Sequence, residues 1–288
     1  MILLDAIRAD SVLFTSIVFF LCLFIGSFLN VVIHRLPIMM NREWKRHCFE
    51  LEEREVPEEA VFNLMVPRSN CPHCGHQISA LENIPLLSFV FLRGRCRNCG
   101  AGISFRYPLV ELLTAVLSAV VVWNFGFTPA SFFALLFSWS LIALTFIDID
   151  HQLLPDSISL PLLWTGLLAN IGNLFTPLQS AVIGAIAGYL SLWLIYHVFK
   201  LLTGKEGMGF GDFKLFAAIG AWLGWSLLPL IILLSSLVGA VTGITMILLN
   251  RTQRGSPIPF GPFLAAAGWI AMLWGTSIVT AYFGFLGQ

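Results

Sequence analysis

From Glu111 onward, four long stretches of this sequence contain no Asp, Glu, Lys or Arg. They run between Glu111 and Asp148, between Asp156 and Lys200, between Lys214 and Arg251, and after Arg254. Each is longer than the ~20 apolar residues needed to cross a bilayer. A soluble helix carries a polar stripe on its outer face, and these runs carry none. Of the 288 residues, 57% are hydrophobic and 11% charged, against roughly 25% charged in a soluble domain. Sixteen basic residues balance sixteen acidic ones, so nothing in the charge points to nucleic acid. The class that survives is an all-α polytopic membrane protein.

Proline, glycine and charge divide the chain into eight expected membrane helices: residues 12–33, 107–124, 130–147, 157–174, 178–202, 213–228, 229–250 and 259–285. The first is read as a retained span. It is longer than the apolar core of a signal peptide, follows Asp5, Arg8 and Asp10, and lacks an A-x-A exit. Residues 213–250 are about twice one span, with Gly224 and Pro229 as the expected turn. Were they one tilted helix, the count would be seven. Ten basic residues lie between Arg35 and Arg106. With eight spans these share one side with Lys200, Lys205, Lys214, Arg251 and Arg254, and Arg8 alone lies opposite. The positive-inside rule makes the rich side cytosolic and favours eight spans over seven. The expected organisation is a membrane helix over residues 1–34, a cytosolic insert over 35–106 and a seven-helix domain over 107–288.

The insert divides in two. Residues 37–67 alternate basic and acidic side chains around Trp44 and Phe62, as a surface helix or a mobile region would. The second part holds Cys71-Pro-His-Cys74-Gly and Cys96-Arg-Asn-Cys99-Gly. Two C-x-x-C pairs across a short loop suit tetrahedral zinc, and the following Gly75 and Gly100 permit the tight turn of each knuckle. Two disulfides are the alternative, but cytosolic thiols stay reduced. A closed four-cysteine shell makes the expected zinc structural. His73 and His76 are expected beside the cluster rather than in it. Cys22 reads as a packing residue, and Cys48 has no evident partner.

Carboxylates at membrane depth are costly and are functional candidates by default. Asp148 ends an uncharged helix in Ile147-Asp148-Ile149-Asp150-His151. Asp212 enters another through Gly207-Met208-Gly209-Phe210-Gly211. Topology delivers both to the cytosolic edge. Two carboxylates within hydrogen-bond reach share one proton, so one can activate water while the other protonates a scissile carbonyl. There is no G-x-S-x-G nucleophile motif. The alternative for Asp148, Asp150 and Asp156 is capping of helices by interfacial loop charges, and for Asp156 capping is the better reading. Other classes stay open here. Carboxylates can serve a cation transporter, although its charges usually sit mid-span. The Asp148, Asp150 and Asp156 cluster can also hold Mg²⁺ in a lipid-diphosphate transferase.

The same residues resemble the type IV prepilin peptidases, the bifunctional leader peptidases and N-methyltransferases. Gly209-Phe210-Gly211-Asp212 with Lys214 resembles the family's GxGD motif. Asp148-Ile149-Asp150-His151 with Leu154-Pro155-Asp156 resembles its first aspartate motif. The likeness extends to Gly26–Pro37, Glu82-Asn83-Ile84-Pro85, the paired cysteines and Pro259-Phe260-Gly261-Pro262. It implies an aspartyl protease of the bacterial inner membrane. Such an enzyme removes the short basic leader of type IV prepilins and type II secretion pseudopilins, after a glycine. It then methylates the new N-terminal residue with S-adenosylmethionine. Asp148 and Asp212 become the expected catalytic residues, with Gly209, Gly211, Lys214, Asp150 and Asp156 in support. Cys71, Cys74, Cys96 and Cys99 become the expected zinc ligands. The methyl-donor residues stay unassigned, the insert and Gly94 being the candidate regions.

Overall fold

The computed structural model describes residues 10–55, 60–249 and 258–286. The expected cytosolic Arg251 and Arg254, and Arg8 opposite them, lie outside the described residues. Among the described residues there is no sheet, only two isolated bridges, Asn70 to Gln77 and Arg95 to Gly102. Among the described residues six helices are long and apolar enough to cross a membrane, and the protein is multi-pass. The chain falls into two compact units, residues 1–127 and 128–288.

In the first unit, α1 (Ser11–Leu51) packs on α3 (Arg106–Phe125), with the short α2 (Leu87–Phe91) between them in sequence. The Asp10 carboxylate caps α1 by accepting from the N–H groups of Val12 and Leu13. α1 and α3 run antiparallel. A Cβ on Gly26 would fall 2.6 Å from Glu111 Cα, and one turn on Asn30 Nδ2 donates to Tyr107 O at 3.1 Å. At 41 residues α1 is about 61 Å long, twice the hydrocarbon core. The charged segment expected as a separate surface helix or mobile region is, up to Leu51, a continuation of the first span. Pro37 is buried inside that helix and does not end it. Beyond it lie good helix formers such as Arg46 and Glu50, paired at i,i+4. Buried Arg35 ties the returning chain down by donating to Asn63 O at 2.9 Å and Pro67 O at 2.6 Å.

The second unit comprises α4 (Pro129–His151), α5 (Asp156–Ile171), α6 (Leu178–Thr203), α7 (Phe210–Leu223), α8 (Leu228–Leu248) and α9 (Gly261–Leu286). The expected break between sixth and seventh spans is present. Gly224 turns at φ +80°, the 3₁₀ segment Trp225–Leu227 follows, and Pro229 sits in the first turn of α8. α5 and α7 are too short for a lipid-matched span, at 16 and 14 residues. α7 needs no such match. It is buried along nearly its whole length and packs against α5, α6 and α9. Gly184 of α6 and Gly220 of α7 meet backbone to backbone, and a Cβ on Gly188 would fall 2.7 Å from Phe216 O. Small residues set this close approach, the usual means by which helices associate in lipid. The far end of α7 is locked by buried Asn170. Its Nδ2 donates to Ala221 O and Trp222 O, and its Oδ1 accepts from Phe175 N and Thr176 N.

Candidate active site and cysteine cluster

Asp148 lies in the last turn of α4. The helix ends when Gln152 turns left-handed at φ +53° and donates its N–H to Asp148 O. Asp212 lies in the first turn of α7, behind the extended Gly209, whose carbonyl accepts the Asp212 N–H at 3.2 Å. Both carboxylates are buried, at 5% and 7% exposure. Asp148 Oδ2 accepts from the Gly261 N–H at 3.0 Å. Asp212 Oδ1 is buried and has no hydrogen-bond partner among the described residues.

Leu154 joins the two aspartate segments. A Cβ on Gly211 would fall 2.8 Å from Leu154 Cβ, and one on Gly261 would fall 3.1 Å from Leu154 Cδ2 and 2.7 Å from Asp148 Oδ2. Gly211 is thus a close-contact position rather than a left-handed one. Gly209 has ordinary room and extended backbone.

Of the other sequence candidates, Asp150 is exposed where Asp148 is buried. Asp156 does not cap α5. The helix begins at Asp156 itself, Pro155 occupies the cap position, and the carboxylate is taken by Lys214 Nζ at 2.7 and 2.8 Å. That ion pair fastens the first turn of α5 to the first turn of α7. Asp148, Asp150 and Asp156 do not converge. Among the described residues the only group of three or more His, Cys, Asp or Glu with metal-ligand spacing is the cysteine set. Sequence reasoning passed over Gly261 as a contact to Asp148. Its signal was the Pro259-Phe260-Gly261-Pro262 stretch, which marks a helix start but not the residue it faces 113 positions away.

The four Sγ atoms of Cys71, Cys74, Cys96 and Cys99 lie within 4.8 Å of one another. Cys71 to Cys99 is 3.8 Å and Cys74 to Cys96 is 3.9 Å. Four thiolates bound tetrahedrally at about 2.3 Å stand about 3.8 Å apart, so the set fits one metal ion. The two knuckles repeat each other. Gly75 N–H bonds Cys71 O and Gly100 N–H bonds Cys96 O, both at 2.9 Å, and both glycines have φ +71°. Every cysteine is unbridged, Cys22 is buried and Cys48 is exposed. His73 is exposed, and His76 Nε2 lies 3.3 Å from Glu82 Oε2. The backbone N–H of His76, helped by the Asn98 amide, lowers the Cys74 thiol to about 7. Cys99 receives a lowering bond from the Ala101 N–H, yet desolvation and the three neighbouring cysteines carry it up to about 11. Four thiols this close cannot all ionise without a cation among them.

Residues 20–125 match the model of the bacterial peptidase A24 N-terminal domain, and residues 135–244 match that of the type IV leader peptidase family. A protein of Aeromonas hydrophila named prepilin leader peptidase/N-methyltransferase is 62% identical over 273 residues, covering 94% of each chain. One of the same name from Pseudomonas aeruginosa is 55% identical over 286 residues, covering 99% of each. This chain belongs to the type IV leader peptidase family. No solved structure matches it. The second family segment contains both Asp148 and Asp212, and Gly261 lies beyond its end.

Proposed function

We propose that this chain removes the leader peptide of type IV prepilins and type II secretion pseudopilins at the cytosolic face of the bacterial inner membrane. It then N-methylates the new N-terminal residue. The observation that supports the reading is a pair of buried carboxylates, Asp148 and Asp212, on separate helices of the family's peptidase segment, whose surroundings share Leu154 as a neighbour. Relatives covering 94% and 99% of the chain bear the two-activity name.

The catalytic residues are Asp148 and Asp212. One carboxylate, ionised, takes a proton from water as the water oxygen attacks the scissile carbonyl carbon. The other gives its proton to the carbonyl oxygen, and a neutral tetrahedral diol forms. Proton transfer to the amide nitrogen then breaks the C–N bond and leaves a free carboxyl and a free amine. One proton again rests on the pair. No covalent intermediate arises. The Gly261 N–H fixes the orientation of Asp148 throughout. The orphaned Asp212 Oδ1 is the acceptor left open for water or substrate. A buried acceptor without a partner costs about 1–3 kcal/mol, which a bound water or peptide relieves. Gly209, Gly211 and Leu154 position Asp212, and the Asp156–Lys214 pair holds the two helix starts together.

Cys71, Cys74, Cys96 and Cys99 would hold a zinc ion that supplies structure rather than chemistry, since all four positions are taken by sulfur. Methylation needs a donor, S-adenosylmethionine in this reading. The residues that would hold the donor are unassigned, and the steps given above concern the hydrolysis alone.

The test is incubation of the purified protein with a prepilin-like peptide and S-adenosylmethionine, followed by mass measurement of the products. The expected masses are those of the freed leader and of a shortened, methylated peptide. An uncut peptide would end the peptidase reading, and a cut but unmethylated one would end the methyl-transfer reading.

A further inference from the structure

The loop between the two cysteine knuckles carries α2, a helix with an unusual surface. Leu87, Val90 and Phe91 are 55%, 69% and 81% exposed. Directly after them come Arg93, Arg95 and Arg97, all exposed. In water such a patch is a liability; beside a membrane it is an anchor.

The depth of α2 follows from what holds it. α3 has 20 residues, about 30 Å of helix, which is the full thickness of a hydrocarbon core with nothing to spare. Placed upright across that core, the helix sets Arg106 and Phe125 at its two edges. Glu111 lies five residues inside, about 7.5 Å below the Arg106 level. The buried Glu111 carboxylate accepts the Leu86 N–H at 2.8 Å, which draws the start of α2 to that depth. A second tie lies shallower. The Phe89 ring meets Phe105, the residue just before α3, edge to face at 6.0 Å. Gly94 then closes the turn, its N–H bonding Phe89 O and its carbonyl accepting from Ile103 N. α2 is thus fixed between the Glu111 level and the membrane edge, with Leu87, Val90 and Phe91 uncovered by protein.

We propose that the segment from Leu86 to Leu92 is immersed in the interfacial layer of the bilayer. Leu87, Val90 and Phe91 lie at the acyl boundary, and Arg93, Arg95 and Arg97 lie on anionic phospholipid headgroups. The occupant of this surface is lipid. The fringe of three arginines complements anionic headgroups, and Phe105, which meets Phe89, is exposed in helical register with the exposed Leu109 and Leu112 of α3. The two cysteine pairs flank the loop on both sides, so their cluster clips its base together at the membrane surface.

The test uses the full chain in nanodiscs of phosphatidylcholine mixed with phosphatidylglycerol. An environment-sensitive fluorescent amino acid replaces Phe91, or Val90 in a second protein should the first fail to fold. The same probe at Leu51, at the projecting end of α1, is the aqueous control. At residue 91 the emission should be blue-shifted relative to the control. A nitroxide near the headgroup end of the acyl chain should quench it more than one near the methyl end, and aqueous iodide should not quench it. Omission of phosphatidylglycerol should shift the emission towards the red. Quenching by iodide without quenching by lipid would overturn the proposal, because α2 would then face water. Quenching by neither would also overturn it, because a second copy or another protein segment would then cover the patch. Emission indifferent to phosphatidylglycerol would overturn the headgroup contact.

Discussion

At the scale of single residues, Gly261 is the position where the smallest change has the largest predicted effect. Its N–H holds Asp148 Oδ2, and a methyl group on its Cα would lie 2.7 Å from that oxygen. Gly261→Ala must push the carboxylate aside. A displacement near 1 Å at a reacting group costs about 100-fold in rate, so kcat should fall by roughly that factor. The unfolding transition should change little, because the helix continues in either case. Asp156→Asn makes the opposite case. Its ion pair with Lys214 is half exposed, with side-chain exposures of 53% and 33%, and such pairs contribute about 0–1 kcal/mol. Leader removal should survive that change within a few-fold of wild type, measured at saturating peptide. Loss of activity comparable to Gly261→Ala would make the pair a working part of the site rather than a fastener.

At the scale of elements, the membrane helices were legible because lipid leaves one crude signal, the absence of charge. Gly224 and Pro229 marked the one ambiguous break because they are poor helix interiors, and α7 and α8 part there. The extent of α1 was not legible. Beyond Arg35 it runs through Pro37 and a mixed-charge sequence, and a helix projecting into water need not show a hydrophobic stripe. The role expected of Asp156 failed for a related reason. A cap is read from neighbours in sequence, whereas its partner Lys214 is 58 residues away. Gly261 and Asn170 were invisible in the same way, since nothing in an apolar pattern records which backbone groups a distant helix presents. Asn170 yields an element-scale prediction. Its side chain satisfies two carbonyls and two N–H groups where α7 ends. Asn170→Leu leaves those groups unsatisfied in a buried place, at a cost of about 1–3 kcal/mol for each that finds no water. Denaturant unfolding of the purified protein should show a loss of at least about 3 kcal/mol.

At the scale of the whole molecule, the chain joins a cysteine-clipped loop to a helical unit whose shortest helix is its most buried. The clip predicts one zinc ion per chain, measurable by elemental analysis of protein purified without oxygen. Thiolates bind the ion and thiols do not, so acidification should release it and restoring the pH should permit its return. Cys71→Ser should weaken the metal and loosen residues 69–103 to proteolysis. If peptide hydrolysis persists in metal-free protein that still folds, the structural assignment of the zinc stands. If Asp148 and Asp212 cut the peptide together, the measurement that bears on them most directly is hydrolysis of a prepilin-like peptide by purified, membrane-folded Asp212→Asn protein. Cleavage should fall about 100-fold or more, on the order of what one positioned acid or base contributes. Cleavage at the wild-type rate by that folded variant would contradict their joint role.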